Sequence, residues 1–137
     1  MQFTTIATAL LSMGVANAAV LGKPSVWKVT DWQIVGSPGG SVYGFNISAA
    51  ASPNAPGFKT ECKGVPGNAT ACADKSVAAK VTEVDYPDWQ IWVQHEWHKY
   101  PKNQTEQTFW QYGAVNASQF SETGKFDINP TGFYGVA

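Results

Sequence analysis

The stretch Asp88-Trp89-Gln90-Ile91-Trp92-Val93-Gln94-His95-Glu96-Trp97-His98 decides the fold. It holds three of the six tryptophans and both histidines of the chain, and it contains neither glycine nor proline. With a period of two, one face carries Trp89, Ile91, Val93, His95 and Trp97, and the other carries Gln90, Trp92, Gln94, Glu96 and His98. This alternation predicts a long β-strand with one apolar face and one polar face.

Shorter strand patterns lie on both sides of this stretch, separated by turn formers. They cover residues 25–35, 41–49, 58–62, 75–84, 106–113, 125–128 and 133–136, with a bulge or a bend near Asp31 where the alternation slips. The last of these is expected at a sheet edge, and residues 114–123 are expected to be irregular. Because no amphipathic helix interrupts the series, the sequence predicts an all-β protein: a single compact antiparallel β-barrel or sandwich of about seven to nine strands.

The N-terminus has the features of a signal peptide. An apolar run over residues 6–15 precedes Ala16-Asn17-Ala18, which fits the small-residue pattern of a signal-peptidase site. We therefore expect residues 1–18 to be a signal peptide and residues 19–137 to form one domain. The protein is expected to be extracellular, without a membrane anchor, because no apolar run is long enough to span a bilayer.

Cysteines and glycosylation sequons agree with secretion. Cys62 and Cys72 are the two cysteines, and in a secreted chain they are expected to form a disulfide bond worth about 2.5–3 kcal/mol. Four asparagines stand in N-x-[ST] triplets and are candidate N-glycosylation sites: Asn46, Asn68, Asn103 and Asn116.

The charge distribution argues against nucleic acid and membrane surfaces as partners. The net charge is −1, and all nine positive residues are lysines scattered along the chain. A nucleic-acid-binding surface favours clustered arginines, and a peripheral membrane anchor favours a polybasic run. We therefore predict no nucleic-acid partner and no membrane association.

A set of short motifs in the first half of the chain resembles the Alternaria major allergen family. The motifs are Val26-Trp27-Lys28-Val29, Gly44-Phe45-Asn46-Ile47, and the segment from Phe58 to Cys62 followed by Cys72, within a match over residues 26–81. The resemblance implies a secreted fungal β-barrel protein without catalysis, associated with plant–pathogen interaction and with allergenicity. Members commonly have a second disulfide and an N-terminal cysteine that links a dimer. This chain lacks those cysteines, so it is expected to be a monomer or a non-covalent dimer.

The sequence argues against two kinds of chemical site, a metal site and a hydrolase site. His95 and His98 alternate in a strand and point to opposite faces, so they cannot share one metal ion without a bulge. His95 is instead expected to be a hydrogen-bonded core histidine. Paired carboxylates, Glu96 with Glu106 or Asp85 with Asp88, would suit a hydrolase, but no nucleophile motif accompanies them. We expect no enzyme activity, no metal and no cofactor.

The remaining candidate is a binding surface. The polar face of the 88–98 strand, together with the next strand, offers Gln90, Trp92, Gln94, Glu96, His98, Trp110 and Tyr112. Two interpretations of Trp92 stay open: it contacts a ligand, or it packs against Trp110 or Tyr112. Taken with this surface, the family resemblance implies an allergen-like effector or elicitor that binds a host plant protein or a small aromatic or glycan ligand. The alternative is a carbohydrate-binding module directed at cell-wall glycans.

Overall fold

The computed structural model describes residues 25–37, 40–53, 55–100 and 105–136, so the predicted signal peptide and the Asn103 sequon lie outside the described residues. Among the described residues, no helix is long and apolar enough to cross a membrane. The described residues form nine strands: β1 Trp27–Ser37, β2 Gly40–Ala49, β3 Phe58–Gly64, β4 Thr70–Ala71, β5 Val77–Asp85, β6 Asp88–Lys99, β7 Gln107–Ser118, β8 Phe126–Ile128 and β9 Gly132–Val136.

The strands form two antiparallel sheets. One sheet has the order β3-β2-β1-β8, and the other has the order β4-β5-β6-β7-β9. The all-β class is confirmed. The sheets are not closed into a barrel in the described part of the chain, so of the two predicted arrangements the sandwich fits. The strand that decides the fold, β6, lies in the middle of the larger sheet.

The core fills the space between the inner faces of the two sheets. Both sheets contribute alternate side chains to this core, because the inward-facing residues of β2 and β6 are nearly all buried. The largest fully buried side chains include Trp27, Phe45, Ile47, Ile91 and Ile128. The predicted Cys62–Cys72 disulfide is confirmed, and both cysteines belong to this core. Burial of the apolar face of each strand therefore fixes which face points outward.

The predicted bulge near Asp31 is confirmed. The register between β1 and β2 shifts between Thr30 and Gln33, and Asp31 has a φ of 57°, in the left-handed region. Asp31 Oδ2 accepts a hydrogen bond of 2.8 Å from Asn46 Nδ2. The extra residue restores the inward direction of Trp32, which a regular strand would have turned outward.

The predicted end of β7 was wrong. The strand continues through Ser118 instead of stopping at Gly113, because residues 113–118 pair with residues 88–93 of β6. The polar composition of this segment suggested an irregular loop, but pairing with a central strand overrides weak local preference. As a result, β6 and β7 form one long hairpin ladder over their whole lengths.

Candidate binding face

The five-stranded sheet turns one face away from the other sheet, and we call it the outer face. Strand register places these side chains on it: Thr82, Lys80, Gln90, Trp92, Gln94, Glu96, His98, Thr108, Trp110, Tyr112, Asn116 and Tyr134. The seven candidate binding residues of β6 and β7 all belong to this set. Antiparallel pairing aligns them in two neighbouring rows, so they form one continuous surface.

A chain of polar contacts fixes one end of the outer face. Trp110 Nε1 donates to Glu96 Oε1 at 2.8 Å, and Glu96 Oε2 lies 3.1 Å from His98 Nε2. His98 Nδ1 lies 2.9 Å from Thr108 Oγ1 and 3.5 Å from Glu106 Oε2. These side-chain contacts link β6 and β7 in addition to the pairing of their backbones. They hold the Trp110 indole in one orientation, although no second sheet among the described residues covers it.

Aromatic rings continue from this end across β7 to β9. The Trp110 and Tyr134 rings are stacked, with centroids 4.7 Å apart and an interplanar angle of 19°. Tyr112 meets Tyr134 edge to face at 6.1 Å. Tyr134 was missed from the sequence, although the alternation in residues 132–136 could have shown that it shares a face with Gly132 and Val136. What the alternation could not show is that β9 pairs with β7.

Trp92 occupies a different environment on the same face. Its directly opposite residues are Lys80 on β5 and Ala114 on β7. The ring contacts of Trp110 and Tyr112 on this face are with Tyr134. A methyl group at residue 114 covers little of an indole, so the half-buried Trp92 presents part of its ring to solvent.

His95 and His98 lie on opposite faces of β6. His98 is exposed, whereas His95 is 2% exposed and packs against Phe58 at 4.5 Å and Trp97 at 5.1 Å between ring centroids. Burial lowers the pKa of His95 below 6.5, and the Asp74 carboxylate opposes that shift. His95 was expected to be hydrogen-bonded. That prediction is wrong for its Nδ1 atom, which is buried and has no hydrogen-bond partner among the described residues. The described residues hold no metal-binding group of three or more His, Cys, Asp or Glu side chains.

The two carboxylate pairs have different geometries. Glu96 and Glu106 lie on either side of His98 and both contact its ring nitrogens. Asp85 and Asp88 are paired across the short turn between β5 and β6, where both are exposed. The Glu106 carboxylate also raises the pKa of Tyr100 through a hydrogen bond. Glu96 and Glu106 are therefore engaged in positioning neighbours on the outer face.

The described sequons differ in accessibility. Asn68 is exposed in the turn before β4, and Asn116 is exposed on the outer face, directly opposite Gln90. Asn46 is half-buried in β2, and its amide nitrogen donates to Asp31. The structure thus presents Asn68 and Asn116 freely to water, whereas the Asn46 amide is engaged within the fold.

The smaller sheet offers a polar groove of about 430 Å³ on its own outer side. Lys28, Asn46, Lys59 and Glu61 are among the residues that line it. Lys28 Nζ is 3.1 Å from Asp127 Oδ2, so part of its positive charge is already compensated. The groove lacks the aromatic rings of the other sheet and is the weaker candidate for a recognition surface.

No protein-family model, no curated protein and no solved structure matches this chain significantly. The resemblance to the Alternaria major allergen family consequently stays an interpretation of the short motifs quoted above.

Proposed function

We propose that the protein is a secreted fungal effector that acts by binding, without catalysis, through the outer face of the five-stranded sheet. One observation carries the proposal: four aromatic side chains share this face with amides and a fixed carboxylate, on three paired strands. Those aromatic residues are Trp92, Trp110, Tyr112 and Tyr134. Tryptophan and tyrosine dominate protein binding sites because they contribute large contact areas at a small entropic cost.

Extracellular action is supported by the covalent features of the chain. The Cys62–Cys72 bond is of a kind that persists in oxidising compartments. The exposed Asn68 and Asn116 sequons suit a chain that passes through a eukaryotic secretory pathway. Together with the motif resemblance, these features favour a protein that meets a plant host outside the fungal cell.

The end of the face around Trp110 suits a host protein. Trp110 and Tyr134 each use one ring face to stack on the other, and Glu96 holds the indole nitrogen. A rigid aromatic pair of this kind loses little conformational freedom on binding, as a hot spot requires. Tyr112 and Tyr134 are 37% and 47% exposed, which leaves substantial aromatic area for a partner to bury.

The end of the face around Trp92 supports the second candidate, a carbohydrate-binding module. Trp92 is opposite the small Ala114 and is half-buried, so part of its side chain is exposed on this face. Gln90 and Gln94 flank it along β6, and Asn116 is opposite Gln90. Sugars bind where an aromatic ring stacks on the pyranose and amides bond its hydroxyl groups.

Leaf infiltration with the purified protein tests the effector function. We expect necrosis or defence induction by the wild type, and loss of that response with Trp110→Ala. Phe120→Ala is the matched control, because Phe120 is a 63% exposed aromatic residue outside the outer face. Each variant is first shown to have a cooperative thermal transition. A wild-type protein without any response, or a Trp110→Ala protein with full response, contradicts the proposal.

Retention on insoluble cellulose, chitin and xylan tests the alternative. Specific retention on one polymer, lost with Trp92→Ala and kept with Phe120→Ala, would favour the carbohydrate-binding module. Absence of retention on all three, together with an active response in leaves, favours the effector.

A further inference from the structure

The edges of the two sheets are protected to very different degrees. An exposed sheet edge is a template for pairing with another chain, and natural proteins blunt it with charges or short strands. At the other three edges, β4 and β8 have only two and three residues, and β3 exposes Lys59, Glu61 and Lys63. β9 has five residues, Gly132–Val136, and none of them is charged.

The free edge of β9 also exposes apolar side chains. Phe133 is 37% exposed, Tyr134 is 47% exposed and Val136 is 58% exposed. Within the described ranges, β9 pairs only with β7 and is the last strand of its sheet. β9 is therefore uncharged, apolar and five residues long, whereas each of the other three edges is either very short or charged.

The order of large and small residues along β9 is self-complementary. Its inward positions are Phe133 and Gly135, and its outward positions are Gly132, Tyr134 and Val136. In an antiparallel pair of two such strands centred on Tyr134, Phe133 would face Gly135 of the second copy, and Val136 would face Gly132 of the second copy. Each large side chain except Tyr134 thus meets a glycine.

The packing of a large side chain over a glycine of β9 already occurs within this chain. In the β7–β9 pair, Phe109 lies opposite Gly135 and Tyr112 lies opposite Gly132. The aromatic rings lie over the glycines, since a Cβ on Gly135 would come within 2.6 Å of the Phe109 ring. Only residues without a Cβ permit this packing, so both glycines of β9 have a structural role beside an aromatic strand.

We propose that β9 pairs with β9 of a second copy of this chain, in an antiparallel, two-fold symmetric dimer with Tyr134 at the axis. The two five-stranded sheets become one ten-stranded sheet. On its outer face, Tyr134 meets Tyr134 of the second copy, and the Trp110–Tyr134 stack continues into that copy. Aromatic pairs directly opposite each other stabilise antiparallel sheets. A five-residue contact is small, so the dimer is weak and its population depends on concentration.

Sedimentation equilibrium with two oppositely charged variants tests the dimer and its register. We expect Tyr134→Lys alone, and Tyr134→Glu alone, to raise the dimer dissociation constant roughly tenfold or more, because like charges then face each other at the axis. An equimolar mixture of the two variants should dimerise again, since Lys then faces Glu. Tyr86→Lys is the control, as Tyr86 is a 61% exposed tyrosine outside β9, and it should leave dimerisation unchanged.

Amide hydrogen exchange on the unmodified protein provides a measurement that needs no variant. Protection of the amides of residues 132–136 should rise with protein concentration, while protection in β3 stays constant. The proposal is overturned by a wild-type protein that remains monomeric at millimolar concentration, by a dimer that persists in both single variants, or by a mixture that does not reassociate. A wild-type protein that remains monomeric at millimolar concentration but still acts on leaves would overturn the dimer and leave the proposed binding function intact.

Discussion

The two faces of β6 contain alternate residues of the same twelve-residue strand, yet different contacts hold them. On the inner face, Ile91 and Val93 are fully buried between the sheets. On the outer face, the described side-chain contacts of Glu96 and Trp110 are with neighbours on the same sheet. The inner face is ordered because a second sheet covers it. The outer face is ordered by lateral hydrogen bonds and ring stacking, so its aromatic residues remain accessible.

This difference predicts separate roles for the two faces: the inner face in stability and, under the proposed function, the outer face in binding. A change on the inner face leaves a cavity between the sheets that neighbouring side chains fill only in part. A change on the outer face removes a lateral contact, and water replaces it at little cost. The inner face should therefore dominate the free energy of unfolding, whereas the outer face should dominate binding.

The largest expected effect is at the centre of the inner face. Ile91→Ala should lower the free energy of unfolding by about 2–5 kcal/mol, because a fully buried isoleucine leaves a cavity when truncated. Its neighbour Gln90 is exposed on the outer face, and Gln90→Ala should change that free energy by no more than about 0.5 kcal/mol. Urea denaturation of both variants measures the contrast. Similar losses would show that the faces do not differ as described.

The second effect is a pH dependence that comes from the inner histidine. Burial lowers the pKa of His95 below 6.5, so the unfolded chain takes up this proton before the folded chain does. The His95 contribution to stability is therefore complete above about pH 6.5 and is lost as the pH falls through the lower folded-state pKa. Asp74, which favours the charged ring, reduces the loss without reversing its direction.

Unfolding free energies measured between about pH 7.5 and about pH 5 check this dependence. The slope in this range should be smaller in His95→Leu than in the wild type. It should be retained in His98→Gln, which removes the exposed histidine of the outer face. A slope that follows His98 instead of His95 would reverse the assignment.

A smaller effect is expected from the ring stack on the outer face. A double-mutant cycle with Trp110→Ala and Tyr134→Ala should give a coupling energy of about 0.5–1.5 kcal/mol, the range of stacked aromatic pairs. Dilute protein is used, so that association through β9 does not contribute. A coupling energy near zero would mean that the two rings do not hold each other in place.

The smallest effect concerns Glu96. Glu96→Gln keeps an oxygen that can accept the Trp110 hydrogen bond and removes the charge that faces His98. The side chains of Glu96 and His98 are each 40% exposed, so the substitution should cost less than about 1 kcal/mol. Glu96→Ala, which also removes the acceptor for Trp110, should cost more. Equal losses in thermal or denaturant unfolding would assign the whole effect to the charge.

Much of the fold and part of the candidate site followed from the sequence. Alternation correctly placed Trp89 and Ile91 inward and Trp92 outward. The slip near Asp31 correctly predicted a bulge. Sequence reasoning failed at residues 114–118, where local composition is polar and the strand exists because β6 provides a pairing partner. It also missed Tyr134, whose position beside Trp110 depends on the pairing of β7 with β9, two strands that residues 119–131 separate along the chain.

The sequence by itself determined the all-β class, the disulfide pairing of the two cysteines and the inward or outward direction of most side chains in the strands. These properties depend on the period-two geometry of the strand and on the presence of only two cysteines. Tertiary structure decided which strands are neighbours, and with them the stacking of Trp110 on Tyr134 and the pairing of Trp92 with Ala114. The physical reason is that strand order results from the packing of two whole sheets, which no local pattern specifies. The sequence of residues 88–98 determines which side chains lie on each face of β6, and the neighbouring strands determine which contacts those side chains make.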